Sequence, residues 1–167
     1  MLLQLLRSKR MSQVAPLVNQ PNFTRPVSRS AFGDLFNDGK IDVVINNMDG
    51  VPVLLRDVSP DHHHWVELQL IGGPKSPRDA VGATVYLNAD GIRQRGDVLS
   101  GGSYLSSNDL RVHFGIGDAT KIDSVQIHWP SGARETLKLG AVDRIYTVTE
   151  GKGVTAALCG GKACPAQ

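Results

Sequence analysis

The chain has 167 residues, 41% of them hydrophobic, enough for one domain or one domain with an added fragment around a real core. Its 18 Lys and Arg are scattered among 16 Asp and Glu, so no basic stripe exists to displace counterions from phosphate, and no nucleic acid partner is expected. No run approaches the roughly 20 apolar residues of a transmembrane segment, and 18 Gly with 9 Pro favour many short strands over long helices.

Residues 1–29 are expected to be weakly structured, with Pro16, Pro21 and Pro26 interrupting any long helix. In MLLQLLRSKR the charges Arg7, Lys9 and Arg10 follow a short apolar run, the reverse of a secretory leader, so no signal peptide is read in this chain. Asn22-Phe23-Thr24 fits a glycosylation sequon, which matters only in a eukaryotic secretory pathway. Residues 30–59 form a distinct unit. A short apolar start leads into an Asp/Asn/Gly loop, then a strand at Ile41–Ile45, a turn at Asn46–Gly50 and a second strand at Val51–Arg56. The pattern predicts a β-hairpin with a polar loop at one end.

Residues 60–151 repeat a period of two. Val66, Leu68 and Leu70 alternate with Glu67 and Gln69; Ala83, Val85 and Leu87 with Thr84 and Tyr86. Leu110, Val112 and Phe114 alternate with Arg111 and His113, and Val125, Ile127 and Trp129 with Gln126 and His128. Such alternation predicts strands with one buried and one wet face. Further strands are expected near 92–99, 134–139 and 144–149. The fold class is therefore all-β: a β-sandwich or small barrel of about seven strands. Residues 152–167 are Gly-, Ala- and Cys-rich and are expected to be a flexible tail. Cys159 and Cys164 are spaced to allow a small disulfide loop, although a tail without a role for them is the preferred reading.

Two segments carry family resemblances. SGGSYLSSNDLRVHFGIGDATKIDSVQIHWPSG, residues 100–132, resembles the core of the ASPIC/UnbV domain, and the likeness runs from about His64 to Gly151 and includes DAVGATVYL. That domain closes FG-GAP proteins of the cartilage acidic protein type. Upstream, AFGDLFNDGKIDVVINN resembles the FG-GAP/VCBS repeat of integrin-like β-propellers, each of whose blades carries a D-x-D-x-D-G-x-x-D calcium loop. One copy cannot close a propeller of typically about 4–8 blades. The resemblance thus implies missing blades upstream, a C-terminal piece of a longer protein, and an extracellular or cell-envelope location.

Calcium takes about 6–8 oxygen ligands, which a compact loop supplies from alternating acids and a backbone carbonyl. By resemblance, Asp34, Asp38 and Asp42 match the first, fifth and ninth loop positions, Gly39 the bend, and Lys40 the residue that lends its carbonyl. The sequence departs from the family at Phe36, whose ring offers no oxygen. The alternative is an Asx-rich turn that needs no metal.

Other candidates favour structural roles. His62 and His64 would share a strand face and could pair on a transition metal, but His62–His64 reads better as a wet strand entrance. Gly101-Gly102-Ser103-Tyr104-Leu105 lacks the second Gly of a nucleophile elbow; its glycines suit an irregular loop, with ligand binding the minority reading. The whole chain reads as a non-enzymatic binding or interaction module with an unidentified protein or glycan partner. A carbohydrate-binding accessory module is the alternative, and it requires Trp65, Tyr86, Tyr104 or Trp129 on one exposed face. A cryptic hydrolase would require His113 or His128 beside a nucleophile.

Overall fold

The computed structural model describes residues 11–13, 27–48, 50–59, 63–102, 104–160 and 162–163. They form strands β1 (Met11–Gln13), β2 (Val27–Gly33), β3 (Asp42–Asn47), β4 (Val53–Asp57), β5 (His64–Ile71), β6 (Thr84–Ala89) and β7 (Ile92–Asp97). Then come β8 (Val112–Gly117), β9 (Ser124–His128), β10 (Arg134–Leu137), β11 (Arg144–Thr149), β12 (Gly153–Cys159) and β13 (Lys162–Ala163). There is no helix among the described residues. Three open sheets result, ordered β1-β4-β3-β2, β10-β9-β6-β7 and β13-β12-β11-β5-β8. None closes into a barrel, so of the two expected all-β forms the sandwich-like one is observed.

The chain divides into two compact units. The larger comprises Phe36–Gly39, His62–Ser100 and Leu110–Gln167. Its two sheets enclose one hydrophobic core. The period-two patterns of β5, β6, β8 and β9 explain why: Val66, Leu68, Val85, Leu87, Val112, Phe114, Val125 and Ile127 all point inward and are buried. Register keeps these residues in layers, with Val85 opposite Ile127 and Leu87 opposite Val125. β5 and β11 run parallel, Val66 opposite Arg144 through Ile71 opposite Thr149, while every other pairing in this unit is antiparallel. The parallel pair needs a long crossover, and the intervening chain supplies the second sheet.

The smaller unit comprises Met1–Leu35, Lys40–Asp61 and Gly101–Asp109. Its sheet is the antiparallel meander β2-β3-β4 with β1 added beside β4. Val43, Ile45 and Leu55 form its buried cluster, with Phe32 and Val53 packed alongside.

Three expectations are revised. The hairpin at 30–59 is part of a four-stranded sheet whose β2 begins at Val27, and β1 also falls within the stretch expected to be weakly structured. Gly153–Cys159 is a strand, not a loose tail: β12 pairs with β11 from Thr149–Gly153 to Arg144–Cys159. Val154, Thr155, Ala156 and Leu158 are exposed, so it lacks a buried hydrophobic alternation, and backbone pairing rather than side-chain burial holds it. Glu67, read as a wet residue, is 1% exposed. Cys159 is disulfide-bonded; Cys164 lies outside the described residues.

Candidate functional site

The acidic loop connects β2 to β3. Asp34 and Asp42 are each 1% exposed. The Asp42 carboxylate accepts the backbone N–H of Leu35 (3.2 Å) and of Asp57 (3.0 Å), closing the loop and tying it to the end of β4. The Lys40 ammonium donates to the Ser59 carbonyl at 2.5 Å. Asn37 and Gly39 hold positive φ angles of 56° and 82°, which Asn and Gly tolerate best. The Arg111 guanidinium donates to the Asn37 side-chain oxygen at 2.6 Å, and His113 Nε2 lies 2.8 Å from the Gly39 carbonyl. Trp65 stacks on His113, 8° from parallel, and lies against Gly39. Asp38 is half-buried.

A calcium ion would need about 6–8 oxygens from this loop. Among the described residues no three His, Cys, Asp or Glu side chains are gathered as a metal site. The side chain at Phe36 offers no oxygen. The hydrogen bonds of Asp42, Lys40 and Asn37 hold the loop as a turn.

The second candidate lies on the outer edge of β2. Residues 106–109 run along this edge and bond to it: Ser106 Oγ donates to the Ser30 carbonyl at 2.6 Å, the Phe32 N–H donates to Asn108 Oδ1 at 3.1 Å, and the Asp109 N–H donates to the Phe32 carbonyl at 2.9 Å. An edge strand presents unpaired backbone groups, so this loop also shields β2. Gly33 permits the close approach, since a Cβ there would sit 2.8 Å from Asp109 Cβ. A mainly apolar cleft of about 280 Å³ lies here, lined by Phe32, Gly33, Leu35, Val44, Asn108 and Asp109 among others. Beyond the anchored base, Tyr104 is 78% and Leu105 62% exposed. Leu105 has φ = 51°, a left-handed conformation that a branched side chain rarely adopts.

Residues 73–155 match the family model described as ASPIC and UnbV. The chain contains an ASPIC/UnbV domain. A comparison with curated proteins finds no match. The match begins after β5, ends in β12 and includes the loop 101–109.

Within the ASPIC/UnbV domain the remaining candidates are placed as follows. Trp129 is 3% exposed in the core, which removes it from any exposed aromatic platform. Tyr86 is half-buried, with Arg93 over its ring and His128 at its edge. Just before the matched region, His63 pairs with Asp118 at 2.9 Å and His64 with Asp143 at 2.7 Å. Asp143 also accepts the Trp65 N–H and returns its own N–H to the Trp65 carbonyl, so His64 helps pin β5 to the start of β11. His62, Ser103 and the Asn22 sequon lie outside the described residues. Sequence reasoning missed the buried pair of Glu67 with Arg111, 2.9 Å apart. The alternation of β5 marked Glu67 as wet, and its partner is 44 residues away in sequence.

Proposed function

We propose that this chain is a non-enzymatic binding module of an exported protein and that it engages a protein or glycan partner through the loop 101–109. One observation carries the reading: Tyr104 and Leu105 hold apolar surface in solvent above a base fixed by three hydrogen bonds to β2. Exposing Leu105 in a left-handed conformation adds nothing to folding, and such strain on a rigid base is characteristic of binding loops. The extracellular character of ASPIC/UnbV domains suits this role. So does the disulfide-bonded Cys159, because disulfides persist in oxidising compartments. No helix among the described residues is long and apolar enough to cross a membrane. The four-stranded antiparallel sheet β1-β4-β3-β2 supports reading the segment before the domain as a propeller-type blade, since such blades are four-stranded.

The test is a binding screen of the purified chain on immobilised glycans and extracellular ectodomains. Tyr104→Ala combined with Leu105→Gly is expected to abolish the hit while leaving the melting temperature unchanged or raised. A hit retained by this variant would overturn the reading. Calcium is tested separately by isothermal titration at millimolar concentration. A saturable heat removed by Asp34→Ala would place the ion in the loop, and no heat would rule calcium out there.

A further inference from the structure

The outward face of the sheet β10-β9-β6-β7 gathers cations that are scattered in sequence. Pairing sets Tyr86 between Arg95 on β7 and Gln126 on β9, with Thr136 of β10 next in the same row. One row away, His128 stands between Thr84 and Arg134. Arg93 stands beside Asn88 in the row on the other side. Because Val85, Leu87, Val125 and Ile127 face the core, these residues face solvent, and Arg93, Arg95 and Arg134 are exposed.

The face is cationic and partly organised in advance. The Arg93 guanidinium lies 4.4 Å from the centroid of the Tyr86 ring, and His128 meets that ring edge-on at 5.2 Å. A guanidinium held over an aromatic ring keeps N–H donors available to an anion. Among the described residues neither Arg93 nor Arg134 pairs with a carboxylate. The acid on the face, Asp97, is already engaged by Arg95 at 2.9 Å and by the Thr84 hydroxyl at 2.6 Å. Hydrogen bonds from Thr84 and then Arg95 hold Asp97 below the usual carboxylate range. From β7 to β10 the face spans three strand intervals, about 14 Å.

We infer that this face is a binding site for an anionic polysaccharide bearing sulfate or carboxylate groups. Guanidinium groups at two sides of the face suit repeated anions, which Arg grips through paired N–H donors. Gln126, Thr136 and Asn88 between them suit sugar hydroxyls. The face is the exposed side of a paired sheet, whereas extended peptides add to sheet edges or enter grooves. This site is separate from the loop 101–109, and neither reading depends on the other.

Dextran sulfate and polygalacturonate serve as probes, with neutral dextran as control, titrated into the full chain at 50 and 500 mM NaCl. The expected result is binding of at least one polyanion at low salt, weakened at high salt, with none to neutral dextran. Arg93→Glu with Arg134→Glu is expected to weaken binding at least tenfold with an unchanged melting temperature. Lys75→Glu with Lys152→Glu makes the same charge change at exposed positions outside this sheet and is expected to keep affinity within twofold. The inference is overturned if the chain binds neither polyanion, or if both double variants lose affinity equally. It is also overturned if poly-glutamate or single-stranded DNA of matched charge binds more tightly than either polysaccharide.

Discussion

At Gly39 two independent constraints coincide. Its φ of 82° disfavours any side chain, and a Cβ would fall 2.2 Å from Trp65 Cε2 and Nε1. The indole is stacked on His113 and has little room to yield. Gly39→Ala should therefore cost about 3 kcal/mol, combining left-handed strain with overpacking, and urea unfolding followed by Trp fluorescence reads that loss. The nearby Glu67–Arg111 contact is a second sensitive point. Glu67 is buried and Arg111 is largely so, with Asn37 as a further acceptor. Arg111→Met should cost about 3 kcal/mol, because it strips a cation from a buried carboxylate, and adding Glu67→Met should restore a large part of that loss. A double variant as unstable as the single one would show that the charge pair is not the source. Both sites illustrate what a linear reading misses. Gly39 was legible as a bend, but Trp65, on which it sits, is 26 residues away. Glu67 looked exposed because alternation describes neutral packing, and only the neighbouring strand places Arg111 on the same face, diagonal to it.

Strands were legible where side-chain burial specifies them. β6, β9 and β11 fall where alternation and turn residues placed them, since a slip of one residue would turn Val85 and Leu87 to solvent. β12 was illegible because its place depends on the backbone of β11. The same dependence makes the turn between β11 and β12 a useful probe. Glu150, in that turn, accepts the Ser131 hydroxyl and the Gly73 N–H at 2.7 Å, joining three segments. Its carboxyl is held below the usual range, first by the Ser131 hydroxyl and next by that of Ser76. A depressed folded-state pKa contributes stability above the unfolded value, and that contribution is lost as pH falls through the folded value. Glu150→Gln should therefore melt lower than the parent chain at neutral pH. The difference should narrow as pH drops below the ordinary value of 4.5. Melting curves that stay parallel down to pH 3 would count against an ionised Glu150 as the anchor.

Among the described residues the two hydrophobic clusters differ greatly in size. The larger unit buries a continuous core drawn from both its sheets, whereas the described part of the smaller buries Val43, Ile45 and Leu55 with two partly buried neighbours. Each fully buried aliphatic side chain contributes about 1.5–3 kcal/mol, so three of them leave little margin once the ordering of a four-stranded sheet is set against them. Local opening follows the density of such contacts. Hydrogen exchange at neutral pH should thus separate two classes of amide. Those of Val85, Leu87, Val125 and Ile127, central in their sheet, should open only with global unfolding. Those of Val43, Val44 and Ile45 in β3 should exchange at least tenfold faster although they too sit between paired strands. Leu55→Ala should accelerate the second class further, by about 2 kcal/mol of lost protection or more, and leave the first unchanged. Equal protection in both classes, or a Leu55→Ala effect spread over β6 and β9, would mean that the small cluster does not set the stability of its own sheet.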